Sequence, residues 1–238
     1  MSRSEPEPLL TLDGVTVRLG GRAVLHDLHL RVTRGEVVAV TGSNGAGKTT
    51  LLRVSANLVR PAQGRRIGHP AVAYVPAAIE PPALPAEVWL RGVRKRRTLS
   101  PTTLLEQLGF DGHLDRPCRE LSFGNLRKLL LAEAFSSTAD LVVVDEASEG
   151  LDSRGAATLV TLMHDARAQQ RSVLFAEQQT QHLVGADRIV SLRSGRVDIE
   201  EHAGADAIAV SFRGPASRLD DLTAAAEQLG YRYMVERE

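Results

Sequence analysis

Residues 42–49 read Gly-Ser-Asn-Gly-Ala-Gly-Lys-Thr, which fits G-x-x-x-x-G-K-[ST]. No other stretch constrains the fold as much. The pattern works only between a buried strand and a helix, and both are predicted here. Residues 36–41 (EVVAVT) are short and almost continuously apolar, as a strand covered on both faces must be. An apolar-periodic helix is expected from Lys48 to Leu58. The glycines let the main chain wrap close to oxygen anions, and the loop N–H groups and the helix N-terminus then point at phosphate. These residues are Gly42, Ser43, Asn44, Gly45, Ala46, Gly47, Lys48, Thr49 and Thr50. Lys48 brings a cation to the β- and γ-phosphates, and Thr49 offers its hydroxyl to Mg²⁺. The ligand read from this loop is a nucleoside triphosphate with Mg²⁺.

A second feature belongs with the first. Residues 141–146 (LVVVDE) end a buried strand in two acids. In a parallel sheet that edge is where ligands sit. Asp145 is placed to hold Mg²⁺, and Glu146 to polarise a water for attack on the γ-phosphate.

Elsewhere the pattern alternates strands and helices. Residues 9–19 and 24–32 alternate apolar and polar and read as strands joined at Gly20-Gly21. Val72–Val75 and 172–176 read as strands, 122–137 and 153–169 as helices, and 187–192 with 195–201 as a strand pair turning at Ser194-Gly195. Pro76, Pro81, Pro82 and Pro85 mark a loop that can continue neither a helix nor a central strand. Residues 86–120 look helical and more polar, and read as an insertion. The sum is an α/β fold with a largely parallel sheet.

At this point the sequence resembles the ATP-binding cassette (ABC) ATPases. The stretch 121-LSFGN-125, followed by LRKLLLAEAF, is similar to that family's signature, usually LSGGQ. The stretch 145-DEASEGLD-152 is similar to the end of its second nucleotide motif and the turn beyond, usually DEPTSALD. The resemblance implies a P-loop NTPase with a mixed, mainly parallel sheet core, an antiparallel β subdomain and a small inserted helical subdomain. The expected ATP-binding domain is 9–201, with the helical insertion at 76–138 and a strand-helix-strand annex at 202–238.

It also implies an ATPase built as a dimer with a second cassette, identical or different. Ser122 and Gly124 of one cassette would then meet the γ-phosphate held by the other, and Asp152 would lie at the contact. A membrane-spanning transporter subunit is the implied partner, and the cassette would sit on the cytoplasmic face of the cell membrane. Formal net charge is +0, so no nucleic-acid partner is expected. The basic run Arg91–Arg97 reads as a solvated helix face or a grip on an acidic partner. A single cysteine forbids an internal disulfide. The N-terminus carries no apolar run, and no stretch is long enough to span a bilayer.

Several positions depart from the family. Leu19 stands where an aromatic usually stacks on adenine, and Ala77 where a glutamine usually follows YVP. Phe123 and Asn125 replace glycine and glutamine, and Glu177 replaces the histidine that donates to the γ-phosphate. Two unit charges about 4 Å apart repel by about 4 kcal/mol at an effective dielectric of about 20. Glu177 would therefore either oppose the phosphate or turn away and leave a donor missing. Gln178 is a nearby substitute donor, and His182 a more distant one. These departures leave two rivals to the transporter ATPase: a non-catalytic regulatory cassette, and an ABC-type ATPase acting on nucleic acid or protein assemblies.

Overall fold

The computed structural model describes residues 8–78, 80–92, 99–178, 183 and 185–202. The expected annex beyond its first residue, His182 and most of the basic run lie outside them.

Two sheets organise the chain. Strands β1 (Pro8–Leu19) and β2 (Arg22–Thr33) form a long antiparallel hairpin. Their burial alternates because only one face meets the core. Strand β4 (Gln63–Ile67) closes this sheet on the other edge of β1, giving the order β2-β1-β4.

The second sheet has β3 (Val37–Thr41) near its middle, flanked by β7 (Ser172–Ala176) and β8 (Arg188–Arg193). Beyond β7 come β6 (Leu141–Val144) and β5 (Val72–Val75), and beyond β8 comes β9 (Arg196–His202). All its pairings are parallel except β8 with β9. Strands β3, β6 and β7 are buried along nearly their whole length, which explains their unbroken Val/Leu/Ala runs.

Helix α1 (Lys48–Ser55) follows β3, α4 (Phe123–Ser136) precedes β6, and α5 (Ser153–Ala168) precedes β7. One apolar cluster fills the space between the central sheet and α4 and α5, including Leu129, Leu131, Leu159 and Phe175. The other joins α1 and the far face of the same sheet to the hairpin, including Leu12, Leu28, Leu51 and Leu174. The loop after β3 thus emerges between two filled layers.

Three expectations change. The helix after the loop ends at Ser55, and Asn57 takes a φ of 61°, which no helix continues through. The region 86–120 is expected to be helical, but its described residues 108–117 are not. Among its described residues it holds α2 (Ala86–Gly92), α3 (Pro101–Gln107) and a short 3-10 turn at Cys118–Glu120. Pro101 starts α3, and Gly109 at a φ of 70° stops its continuation. Strand β4 was not foreseen at all. Its side chains are mostly exposed, so it carries no apolar pattern to read.

Candidate functional site

Strand β3 delivers the chain into the loop at the carboxyl edge of the sheet. Gly42, Gly45 and Gly47 have φ of 141°, 79° and 109°, values a side chain would resist, and they turn the loop back toward α1. Ser43, Asn44 and Gly45 form its exposed tip, while Ala46, Gly47 and Lys48 are buried. The Lys48 ammonium folds over the loop, donating to the Gly42 carbonyl at 2.6 Å and the Ser43 carbonyl at 3.2 Å. The loop is braced from outside by the β8–β9 turn, where Gly195 N–H donates to the Ala46 carbonyl at 2.9 Å.

Asp145 directly follows β6 with 1% of its surface exposed. Both carboxylate oxygens are buried and find no hydrogen-bond partner among the described residues. Burial pushes its pKa up; Thr49 in the first turn of α1 pulls the other way, and Glu146 adds to the rise. A buried carboxylate without a partner is costly unless a cation meets it. Asp145 and the neighbouring Thr49 hydroxyl are hard oxygen donors, so the residues present fit Mg²⁺.

Glu146 follows at a φ of 51°, a left-handed conformation for a side chain with a Cβ. Its Oε1 accepts from the Gln178 side-chain amide at 2.9 Å. A hydrogen bond to Glu146 is also the main reason that the Glu149 carboxyl is pushed up to about 7, followed by burial and the Glu146 charge. Gln178, the substitute donor noted from sequence, is thus joined to Glu146.

Glu177, at the end of β7, is 5% exposed. Its carboxylate accepts Ser148 N–H at 3.1 Å and Gln178 N–H at 2.8 Å. It is therefore turned onto the main chain that follows β6.

Ser122 caps α4, its Oγ accepting Asn125 N–H at 3.2 Å, and is itself exposed. Gly124, in the first turn, lies so close under the Gly150 carbonyl that a Cβ would stand 2.7 Å from that oxygen. The Phe123 ring, half exposed, lies against Gly150. Asp152 caps α5 through Gly155 N–H at 2.7 Å and pairs with Lys128 at 3.0 Å; the backbone bond, then Lys128, holds its carboxyl low. Leu19 is 48% exposed at the hairpin tip, and Ala77 is half-buried in the bend after β5.

One residue escaped the sequence reading. Arg127 of α4 is 2% exposed and reaches three main-chain carbonyls: Pro76 at 2.7 Å, Asp145 at 2.6 Å and Glu146 at 2.6 Å. A basic residue beside another, Lys128, on a helix gives no signal of such burial.

The fold and the loop define a P-loop nucleotide-binding protein. The sequence pattern of the ABC transporter family matches residues 25–149, and the chain belongs to that family. The zinc import ATP-binding protein ZnuC of Marinobacter nauticus is 35% identical over 192 residues, covering 78% of this chain and 75% of that protein. The protein of the same name from Pseudomonas fluorescens is 34% identical, with 78% and 74% covered. An ATP-binding cassette dimer in a post-hydrolysis state with ADP and Pi superposes with a TM-score of 0.71 at 19% identity, over 81% of this chain and 98% of that one. An ATP-binding subunit of an ABC transporter superposes with a TM-score of 0.73 at 24% identity, over 95% of each. The chain is an ABC-type ATP-binding subunit, an ATPase coupled to transport. No helix among the described residues is long and apolar enough to cross a membrane.

Proposed function

We propose that this chain powers metal-ion uptake as the cytoplasmic, membrane-peripheral cassette of an importer whose membrane-spanning part is a separate subunit. The single observation behind the nucleotide chemistry is the buried, partnerless Asp145 carboxylate beside Thr49 and the glycine-rich loop. The loop N–H groups cradle the phosphates, and Lys48 exchanges the Gly42 and Ser43 carbonyls for phosphate oxygens. Thr49 and Asp145 hold Mg²⁺, which when bound offsets the charge of the β- and γ-phosphates. Glu146 accepts a proton from the attacking water, with Gln178 fixing one of its oxygens.

The exposed Ser122 and the α4 N-terminus close the site on a second cassette, because a serine hydroxyl and a helix N-terminus suit an anion. The cargo reading rests on relatives named for zinc import. A zinc-class divalent cation is the substrate of the assembly, moved by the partner and not bound here.

A second reading has its own support. Ala77 offers no polar side chain, and the Glu177 carboxylate faces Ser148 N–H where a phosphate donor would be useful. On that reading the chain binds Mg-ATP but turns it over slowly as a homodimer. Purification from membranes in detergent, with ATP turnover measured with and without the co-purifying subunit, separates the two. Turnover lost in Lys48→Ala, together with a multi-span partner and metal uptake that fails without this chain, supports the importer. Nucleotide binding without turnover in the complete assembly overturns it in favour of the regulator.

A further inference from the structure

Arg127 carries more than packing. Its guanidinium is buried, yet it makes no side-chain salt bridge of ordinary geometry among the described residues; its closest partners are the carbonyls of Pro76, Asp145 and Glu146. Burial pulls its pKa down, while Glu149, Asp145, Glu146 and Glu177 around it pull it back up. Arginine remains a cation in such a place, and its planar fork can hold several acceptors in fixed directions. Two of those acceptors are consecutive carbonyls bracketing a strained residue, since Glu146 sits at a φ of 51°. Such strain persists only where the surroundings over-determine it. Here Nη2 fixes the peptide planes on both sides of the Glu146 Cα, which sets where the Glu146 side chain starts.

The third acceptor lies elsewhere in the sequence. Pro76 follows β5 and precedes Ala77, where the chain leaves the sheet for the segment holding α2 and α3. Nη1 grips that exit while Nη2 grips the carboxylate strand, and Arg127 itself rides on α4. Ala77 provides no side-chain hydrogen bond of its own across this junction.

We propose that Arg127 is a positioning residue that ties the exit at Pro76 and helix α4 to the backbone of Glu146, so that displacement of either misaligns the Glu146 carboxylate. The proposal rests on Glu146 being the proton acceptor for hydrolysis.

The test compares Arg127→Gln, Arg127→Lys, Glu146→Gln and the double variant Arg127→Gln/Glu146→Gln in the full chain. Arg127→Gln is expected to lower kcat at least tenfold with KM for ATP within threefold. Arg127→Lys recovers part of that loss, because an ammonium meets one or two carbonyls without the fork. In the Glu146→Gln background Arg127→Gln has no further effect on kcat. An unchanged kcat in Glu146→Gln sinks the assignment of Glu146. A kcat there that is strongly lowered but still measurable, with an Arg127 effect that is absent in the wild-type background, multiplies with the Glu146→Gln loss or falls on KM, sinks the role of Arg127 alone.

Hydrogen exchange supplies a measure that needs no turnover and tolerates a weakened fold. Arg127→Lys should speed exchange of residues 75–78 and 145–148 together, leaving α1 protected. Faster exchange confined to one of those segments, or spread evenly over the chain, overturns the tie.

Discussion

The Glu177 carboxylate holds the backbone of Ser148, accepting its N–H over 3.1 Å from the end of the neighbouring strand. Gln178 N–H donates to the other oxygen at 2.8 Å. A buried negative charge is thereby met by two main-chain dipoles, and the turn after the Asp-Glu pair is fixed to β7.

Replacing Glu177 by alanine removes both acceptors. Hydrogen bonds to a charged group contribute about 2 kcal/mol, so Glu177→Ala should unfold at lower denaturant by roughly that amount. Glu177→Gln keeps one acceptor and should lose less. With the charge already engaged by backbone donors, neither variant should speed hydrolysis. A tenfold rise in ATP turnover of Glu177→Ala would instead identify the carboxylate as a brake on phosphate binding.

Asp145 behaves in the opposite sense. Its two oxygens are buried without partners, and its pKa is raised by burial. A carboxyl whose folded pKa lies above its unfolded value supports the fold below the unfolded pKa and loses that support as pH rises through the folded one. At neutral pH the ionised group strains the nucleotide-free protein. Asp145→Asn should therefore be more stable by about 1 kcal/mol without ligand. The added stabilisation from Mg²⁺ in the presence of ATP, about 2.7 kcal/mol at a hundredfold excess over Kd, should vanish in the same variant. Thermal unfolding with ATP in EDTA and in Mg²⁺ checks both halves; an Asn variant that melts earlier without ligand contradicts the first.

What the sequence makes legible follows from how local each cause is. The loop at 42–49 and the strand at 141–144 are fixed by neighbouring residues: glycines for the turn, unbroken apolar runs for a sheet covered on both faces. They appear where expected. The Ser122 cap is equally local, since a serine three residues before an available N–H suffices. Strand β4 is invisible because Gln63, Gly64 and Arg65 are exposed, and the strand exists through backbone pairing with β1. Arg127, and the way Glu177 is held, escape a sequence reading for a related reason. Their partners are main-chain groups at Pro76, Asp145, Glu146 and Ser148, which any residue supplies and no composition reveals.

The brace behind the nucleotide loop can be tested through Gly195. Its φ is 75°, its N–H donates to the Ala46 carbonyl, and a Cβ there would collide with the Val24 carbonyl. Gly195→Ala combines left-handed strain with a backbone clash and should cost about 3 kcal/mol. Gly21→Ala is the control: φ is 79° but no atom lies within 4 Å of the added carbon. It should cost only about 1 kcal/mol. ATP affinity should fall in the first variant and hold in the second, since only the first displaces the turn that supports Ala46. Equal losses of stability in the two would mean that the turn is not packed against the loop.

The Glu149 carboxyl gives the site a pH dependence. It is raised to about 7 by its hydrogen bond to Glu146, then by burial and by the Glu146 charge. Below that pH the protonated Glu149 carboxyl donates to Glu146, which makes Glu146 a poorer acceptor. Above it Glu149 is ionised and no longer donates, which leaves Glu146 free to take a proton from water. Turnover in saturating Mg-ATP should therefore rise through neutral pH. In Glu149→Gln the amide donates without titrating, and the rise should flatten. Stability runs the other way: a raised carboxyl supports the fold below its ordinary pKa of 4.5, and that support fades as pH climbs through about 7. Between those values the wild type should lose stability relative to Glu149→Gln as pH increases. Profiles of kcat and of denaturation midpoint from the same buffers test the two signs together, and a turnover limb that survives in Glu149→Gln would assign the titration to another group.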